Sequence, residues 1–359
     1  MKLNLKSNCK YGIAVPTSMG VRITPPNGAP VNTSNYFHMQ ATSAESNAVN
    51  IASSLGIKGL VLTNFVKDSP ISYFIKSELR RRNIDFLGPD IPQGSPWGYR
   101  HQFNIADSGF GTRGPRVHND RAGEVGCVLN KKDFDFDRIF GEDGVQILHL
   151  SGLVGALSPD TTQFCIDAAH AAKKHGTLIS FDLNHRASFW KGREEELQKN
   201  FIEMVRMTDI LIGNEEDYQL SLGIEGPQEG GRDLSAQIED FKEMVVRIKE
   251  AFPNASVFGN TLRQVVSTNE HEWGALTLFG DTWTVIEPRT IQVLDRIGGG
   301  DGFSGGLLYG ILTGMTPEKA TQFAWASGAL ATTILEDYAM PADEDVVWSI
   351  YQGNARVKR

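Results

Sequence analysis

The chemistry of this chain concentrates in Asp295-Arg296-Ile297-Gly298-Gly299-Gly300-Asp301-Gly302-Phe303-Ser304-Gly305-Gly306. Three glycines lead into one carboxylate, and Phe303, Leu307, Leu308, Ile311 and Leu312 then recur at helical spacing. The glycines therefore fall where a helix starts, among unpaired N–H groups at the positive end of the macrodipole. Glycine at that place lets the backbone amides curl around an anion, as phosphate-binding loops do. A carboxylate in such a turn repels the ligand it helps to frame, so Asp301 needs another task. It can take the proton of a hydroxyl that attacks phosphorus, and the chemistry indicated is phosphoryl transfer to an alcohol. Two plainer readings compete. Gly300 to Gly305 matches G-x-G-x-x-G, the dinucleotide fingerprint. Fewer than 60 residues follow it, however, with no convincing strand to complete a βαβ unit, and Asp301 would face the pyrophosphate. The other reading is a tight glycine turn with Asp301 as a simple cap.

The elements that must position this loop alternate from about residue 140 onward. Val145 to Leu150 reads as a buried strand; Ser158-Pro159 supplies an N-cap and a proline at the first helical position; Phe164 to Ala172 carries a helical face that Gly176 closes. Thr177 to Phe181 is the next strand, Phe201 to Met207 a helix, Ile210 to Ile212 a strand, Phe241 to Phe252 a helix and Ser256 to Phe258 a short strand. Such alternation predicts a mostly parallel sheet covered by helices. Polar groups follow three of these strands: Asp182-Leu183-Asn184-His185-Arg186, Asn214-Glu215-Glu216-Asp217 and Asn260-Thr261-Leu262-Arg263. Ligands of open α/β sheets bind beyond the carboxyl ends of the strands, so all three groups should gather on one edge.

The first 125 residues differ. Ala48 to Gly56 reads as an amphipathic helix ending at glycine, Gly59 to Leu62 as a strand and Ser72 to Arg82 as a basic surface helix. Around them lie glycine- and proline-rich stretches, 16–45 and 88–124, holding strand-like pieces at Val21–Thr24 and Tyr99–Phe103. Two segments of that kind can pair into a small sheet beside the main domain, and 359 residues suit one large α/β domain or two smaller ones. Gly226 to Gly231 reads as a simple surface loop.

Composition sets the outer limits. Of 359 residues, 40% are hydrophobic and 22% charged, which suits a sizeable core rather than disorder. A net charge of −8 argues against nucleic acid as the main partner. No run approaches the roughly 18 apolar residues of a membrane helix, and the first residues lack the apolar segment of a signal peptide. Cys9, Cys127 and Cys165 are odd in number with no C-x-x-C pair, so they read as reduced thiols of a cytoplasmic protein. No helical His pair suggests structural zinc.

The glycine loop and its surroundings resemble the ribokinase-like (PfkB) carbohydrate kinases, most closely their 2-keto-3-deoxygluconate kinase branch. The signature is Asp295 through Leu307; the branch-like stretches are Gly109-Phe110-Gly111-Thr112-Arg113 with Val117 and Asp120-Arg121-Ala122, then Ser180 to Arg186 with Trp190, then Thr261-Leu262-Arg263 with Ser267 and Trp273. The resemblance implies a ribokinase-like α/β fold in one domain spanning 1–359, a central mostly parallel sheet between helices with a small β lid built from about 16–45 and 88–124. It implies ATP and Mg²⁺, an anion hole at Gly298, Gly299 and Gly300, and Asp301 as the base for the sugar hydroxyl. It places Asn214, Asp217, Thr261, Arg263, Gly298 and Gly300 at the nucleotide, with Asp217 reaching the metal through water. It places Arg121, Arg186, Asn47, Asn184 and Asp301 at the acceptor, and Arg113 as a third candidate arginine. A guanidinium grips a carboxylate bidentately, which suits a sugar acid. Thr42-Ser43 stands where the family carries a glycine pair, Asn119 where a tyrosine is usual, Glu124 where a small residue is usual, and Asp217 where glutamate is usual. Those side chains are expected to narrow or reshape the sugar pocket. The resemblance further implies a homodimer or larger assembly through exposed lid strand edges. Two other functions remain open at this point: a kinase for a neutral sugar such as fructose or ribose, and a non-catalytic ligand-binding protein on a kinase scaffold.

Overall fold

Strands built from unbroken apolar runs need cover on both faces, and that requirement shapes this molecule. The computed structural model describes residues 3–95, 97–227, 234–235 and 237–353. Strands β1 (Tyr11–Pro16), β2 (Gly20–Thr24) and β3 (His38–Thr42) precede helix α1 (Ala44–Ser54). Next come β4 (Gly59–Leu62), β5 (Phe65–Val66), α2 (Pro70–Arg81), β6 (Ile84–Leu87), β7 (Asp90–Ile91), β8 (Phe103–Asp107) and β9 (Arg116–Asp120). The regular alternation is β10 (Val145–Ser151), α3 (Gly152–Leu157), α4 (Pro159–Lys174), β11 (Leu178–Asp182), α5 (Ala187–Trp190), α6 (Glu194–Val205), β12 (Ile210–Gly213), α7 (Glu215–Leu222) and α8 (Ile238–Ala251). A meander β13 (Val257–Ser267), β14 (Glu270–Phe279) and β15 (Thr282–Gln292) then leads to helices α9 (Gly299–Leu312), α10 (Pro317–Ala331) and α11 (Glu344–Tyr351).

The main sheet has nine strands in the order β15-β14-β13-β12-β11-β10-β1-β4-β6. Its pairs from β13 to β6 are parallel, and β14 and β15 extend it antiparallel. Successive residues of each strand point to opposite faces, so one strand feeds two cores. Leu211 joins Phe164, Phe201 and Phe241 beneath α4, α6 and α8, while Ile210 and Ile212 join Val49, Phe303 and Phe323 beneath α1, α9 and α10. The Ser158 hydroxyl and Thr161 close a capping box at the start of α4 with Pro159 at its first position, as the sequence predicts.

A second sheet of four strands runs β3-β2-β8-β9, and β5 and β7 pair separately. Several expectations need correction here. The strand expected at Tyr99–Phe103 begins instead at Phe103; His101 is buried, its Nδ1–H donating to the Met19 carbonyl and its Nε2 accepting from the Val66 N–H beside the Ser72 hydroxyl, and so cannot alternate with solvent. The short strand expected at Ser256–Phe258 continues to Ser267, so Asn260-Thr261-Leu262-Arg263 lies within β13 rather than in a loop after it. Cross-strand pairing with β14 holds those polar residues extended, a long-range cause that local composition does not display. The helix expected as a basic surface element ends against the interior, where Arg82 is 1% exposed and stacks on the Tyr338 ring. Most of the expected 226–231 loop lies outside the described residues.

Candidate active site

Helix α9 begins at a glycine that no other residue can replace easily. Gly298 is the N-cap with φ 86°, in the left-handed region, and a Cβ there would overlap the Asp337 carbonyl oxygen. The first intrahelical bond of α9 is Gly302 N–H to the Gly298 carbonyl, so the amides of Gly299, Gly300 and Asp301 have no partner within the helix. A Cβ on Gly300 would meet nothing within 4 Å, which leaves that turn open to a ligand. The later glycines have a different reason. Gly302 and Gly306 admit α10 at Ser327, and Gly305 admits the Ala48 carbonyl of α1, so the dinucleotide-like spacing reflects helix packing rather than pyrophosphate contact.

Asp301 sits at the third helical position, within reach of those amides. Its Oδ2 accepts from Asn47 Nδ2 of α1 at 2.9 Å. Burial pushes its carboxyl well above the ordinary carboxylate range; Asn47 opposes that, while Asp182, Asp337 and Glu45 push the same way. One turn on, the Ser304 hydroxyl donates to Asp182 Oδ2 at 2.9 Å. Asp182 is itself pushed up to about 7 by burial and by Asp217, against the pull of Ser304 and Arg186. Asp182 ends β11 and opens one of the three polar groups expected at the strands' carboxyl ends, although no particular role was expected of it.

Asn214 and Asp217 form a reciprocal cap on α7. Asp217 N–H donates to Asn214 Oδ1 at 2.8 Å, and Asn214 N–H to Asp217 Oδ2 at 3.0 Å. The other oxygen, Asp217 Oδ1, accepts from His185 N–H at 2.8 Å. Burial raises this carboxyl's proton affinity and the two amide bonds lower it. Each Asp217 oxygen accepts one amide N–H and keeps a second lone pair for a further donor, water or cation. Among the described residues no group of three or more His, Cys, Asp or Glu side chains could hold an ion alone. Mg²⁺ does not need one, since it keeps several waters and takes its remaining oxygens from phosphates. The buried Asp182 and Asp217 carboxyls, facing open amides at α9, suit a phosphate-bound cation.

On the β13 side, Arg263, Trp273 and Arg289 form one cross-strand row. The Trp273 ring lies 3.9 Å from a Cβ placed on Gly299, and its indole N–H donates to the Trp325 carbonyl at 3.2 Å. His271 is pushed down to about 4 by burial and by the charges of Arg263 and Arg296. Thr261 lies two residues before Arg263 in β13, partly buried. This flank is basic.

The acceptor flank is organised by internal pairs. Arg121 Nη1 donates to Glu124 Oε1 at 2.8 Å and Oε2 at 3.0 Å, and Glu124 Oε1 also accepts from Ser18. Glu124 therefore holds Arg121 and does not stand as a lone negative charge. Arg113 donates to Asp107 Oδ1 at 2.8 Å and to the Gly28 carbonyl. Arg186 is exposed and donates to the His185 carbonyl at 2.8 Å. Asn184 has φ 36° and its amide lies 3.4 Å from the Ser151 hydroxyl, turned into the protein. Asn119 is exposed on β9. Thr42 and Ser43 do not narrow a pocket as expected: both are buried, Ser43 as the N-cap of α1 and Thr42 against Asp337 and Asn47. Asn47, Asp301, Asp182 and Asp217 thus come together around the start of α9; Asn184 reaches Asp182 through its backbone while its side chain turns to Ser151, and Arg113 is held by Asp107.

A nine-stranded α/β sheet with this helix N-terminus and carboxylate at its edge defines a carbohydrate kinase of ribokinase-like fold. Residues 142–342 match the pfkB family of carbohydrate kinases, more than half of the chain, and the protein belongs to that family. The 2-dehydro-3-deoxygalactonokinase of Haloferax volcanii is 25% identical over 342 residues, covering 94% of this chain and 96% of that one. The structure of 2-dehydro-3-deoxygluconokinase from Thermotoga maritima superposes with a TM-score of 0.84 at 25% identity, covering 96% of this chain and 98% of the other. A putative ribokinase II of E. coli, solved with ATP and Mg²⁺, shares the fold with a TM-score of 0.75 at 17% identity, covering 96% of this chain and all of that one (100%).

Proposed function

We propose that this kinase transfers the γ-phosphoryl group of ATP to a hydroxyl of 2-keto-3-deoxygluconate or a close relative, with Asp301 as the base. The observation that carries the reading is the partly buried Asp301 carboxyl beside unpaired helix amides, oriented by Asn47 and biased towards proton uptake. Asp301 accepts the acceptor hydroxyl's proton, and the amides of Gly299 and Gly300 stabilise charge that develops on the transferring group. Mg²⁺, when bound, neutralises phosphate charge; Asp217 would hold it through water, and Asn214 positions Asp217. Arg263 on β13 and Thr261 beside it flank the nucleotide. The chain forms one kinase domain in which the smaller sheet serves as a lid that excludes water from the reaction.

The relatives' names support a deoxy sugar acid as substrate, and Arg186 is the arginine best able to take its carboxylate, because Arg121 and Arg113 already hold Glu124 and Asp107. That same pairing favours a second reading, a neutral sugar, since two of three candidate arginines are engaged. The outer face of the smaller sheet carries the row Met39, Ile23 and Ile105 beside exposed Tyr36 and Phe37, which supports a homodimer through this sheet. Three free thiols and the family's soluble chemistry support a cytoplasmic setting; among the described residues no helix is long and apolar enough to cross a membrane.

The test is coupled ADP release with Mg-ATP against sugars and sugar acids, with Asp301→Asn in parallel. We expect turnover of 2-keto-3-deoxygluconate and a loss of kcat on the order of 10²–10⁴ in the variant. Near-normal turnover by Asp301→Asn would sink the assignment of the base. Equal competition by the carboxylate-free sugar would favour the neutral-sugar reading.

A further inference from the structure

We propose that Arg22, although it lies in the smaller sheet, is a positioning residue for the glycine turn: its guanidinium sets the spacing of the two segments between which Gly298 is seated. The inference rests on the reading of that turn as the place where the transferring group is held. Arg22 stands in the middle of β2 and is 0% exposed. One terminal nitrogen, Nη1, donates to Asp337 Oδ1, and the other, Nη2, donates to Asp295 Oδ2. Both carboxylates are buried as well.

The two carboxylates belong to the two walls of the turn. Asp295 precedes Gly298 closely, and its Oδ1 accepts the Ile297 N–H at 3.0 Å, which folds the chain into the turn. Asp337 supplies the other wall. A Cβ on Gly298 would stand 1.9 Å from the Asp337 carbonyl oxygen, so the glycine already packs directly on that backbone. Helix α9 starts from this seat, and the seat therefore sets where the amides of Gly299 and Gly300 point.

The inner face of the smaller sheet holds Asp337 through three side chains. Arg22 takes Oδ1, the Thr42 hydroxyl donates to Oδ2 at 2.7 Å, and Gln40 Oε1 accepts the Asp337 backbone N–H at 3.0 Å. Gln40 is the cross-strand partner of Arg22, and Thr42 follows it by one strand repeat, so the three share a face. Arg22 goes further and grips the turn itself. A guanidinium is a planar fork whose donors stand at fixed separation. Here the fork is divided between two acceptors, so it acts as a spacer as well as a charge. One positive charge faces two carboxylates, and burial leaves their mutual repulsion poorly screened. Without the guanidinium the two walls part around Gly298, and the amides turn away from the group they stabilise.

Arg22→Ala, Arg22→Lys and Gly298→Ala should be compared with wild type by ADP release at varied Mg-ATP and acceptor. The temperature is one at which circular dichroism shows each variant folded. A misplacement of about 1 Å by a remote substitution can cost about 10²-fold in rate. Arg22→Ala should lose kcat on that scale and keep the acceptor KM within about twofold. Arg22→Lys supplies a point charge without the fork, and its kcat should fall between Arg22→Ala and wild type. Guanidinium chloride at tens of millimolar should raise the kcat of Arg22→Ala several-fold, whereas sodium chloride at the same concentration should not. Wild-type kcat in either Arg22 variant would overturn the inference, because the arginine would then serve stability alone or act by charge alone. A raised acceptor KM with unchanged kcat would also overturn it, since Arg22 would then place the sheet over the acceptor rather than the turn. Equal rescue by sodium chloride would remove the role of the fork. If Arg22→Ala does not fold, Arg22→Lys carries the test through kcat and acceptor KM. Should Gly298→Ala turn over normally, the turn itself is not the anion site; should it be impaired while Arg22→Lys matches wild type, only this inference falls.

Discussion

The two flanks of the site use charge in opposite ways. At the start of α9 the attraction for an anion comes from backbone amides and left-handed glycine geometry, with few side chains involved. On the smaller sheet and the loops beside it, charge comes from side chains that are spent on one another: Arg22 with Asp295 and Asp337, Arg113 with Asp107, Arg121 with Glu124, Arg100 with Asp120. The first arrangement stays open for a ligand and tolerates almost no substitution. The second fixes where the small sheet stands, and leaves selectivity to the few charged groups not consumed in pairing. A backbone-built anion site on one side and a side-chain-built flank on the other follow from that difference.

The comparison can be broken most sharply at Gly298. Gly298→Ala places a Cβ against the Asp337 carbonyl and forces a left-handed φ on alanine; kcat should fall by on the order of 10²–10³, as when an oxyanion donor is misplaced. Steady-state kinetics with wild-type turnover would show that the loop relaxes freely and that the backbone is not the rigid partner. Arg22→Met tests the other flank. It leaves Asp295 and Asp337 without their buried cation, and urea unfolding should show a loss of about 3–5 kcal/mol. A loss below ~1 kcal/mol would place those ion pairs among the weak surface kind.

Arg186→Met sharpens the question of selectivity. If Arg186 takes the acceptor carboxylate, its loss should raise KM for the sugar acid by about 10- to 100-fold, the range of a charged hydrogen bond. KM for ATP and for a carboxylate-free sugar should hardly change; parallel rises in all three would remove Arg186 from the acceptor site.

The smallest effect concerns stability against pH. Because the folded state raises the Asp301 proton affinity above its unfolded value, ionisation of this carboxyl opposes folding. Its contribution to stability is greatest in acid and declines as pH rises through the folded pKa, whereas activity rises over the same window as the base ionises. Asp301→Asn should therefore melt roughly 2–4 °C above wild type near pH 8, with the gap closing towards pH 5. A constant gap across that range, in scanning calorimetry without metal, would contradict the direction argued for this carboxyl.

Much of this was legible in the amino-acid order. The start of α9, the cap of α4 and the parallel strands from β10 to β12 are local matters of glycine geometry, hydrogen-bonding side chains and apolar runs. Each acts over a few residues, and a linear reading can see it. Asp301 stood out for the same reason, as a carboxylate in a place chemically suited to anions.

Other features depended on distant partners. Asn260 to Arg263 became strand because β14 pairs with them. Asp182 entered the site through Ser304, 122 residues away. Arg121 proved to be held by Glu124, and Thr42, which the family resemblance placed at the sugar pocket, turned inward to Asp337, 295 residues away. Residue types state what a side chain can donate, accept or bury. Which partner satisfies it is decided by the fold, since buried polar groups must be paired and the available partners come from wherever the chain returns. The sequence alone thus determined the glycine-bounded helix start and its carboxylate, and tertiary structure alone decided how that carboxylate is oriented and which nearby charges stay unpaired.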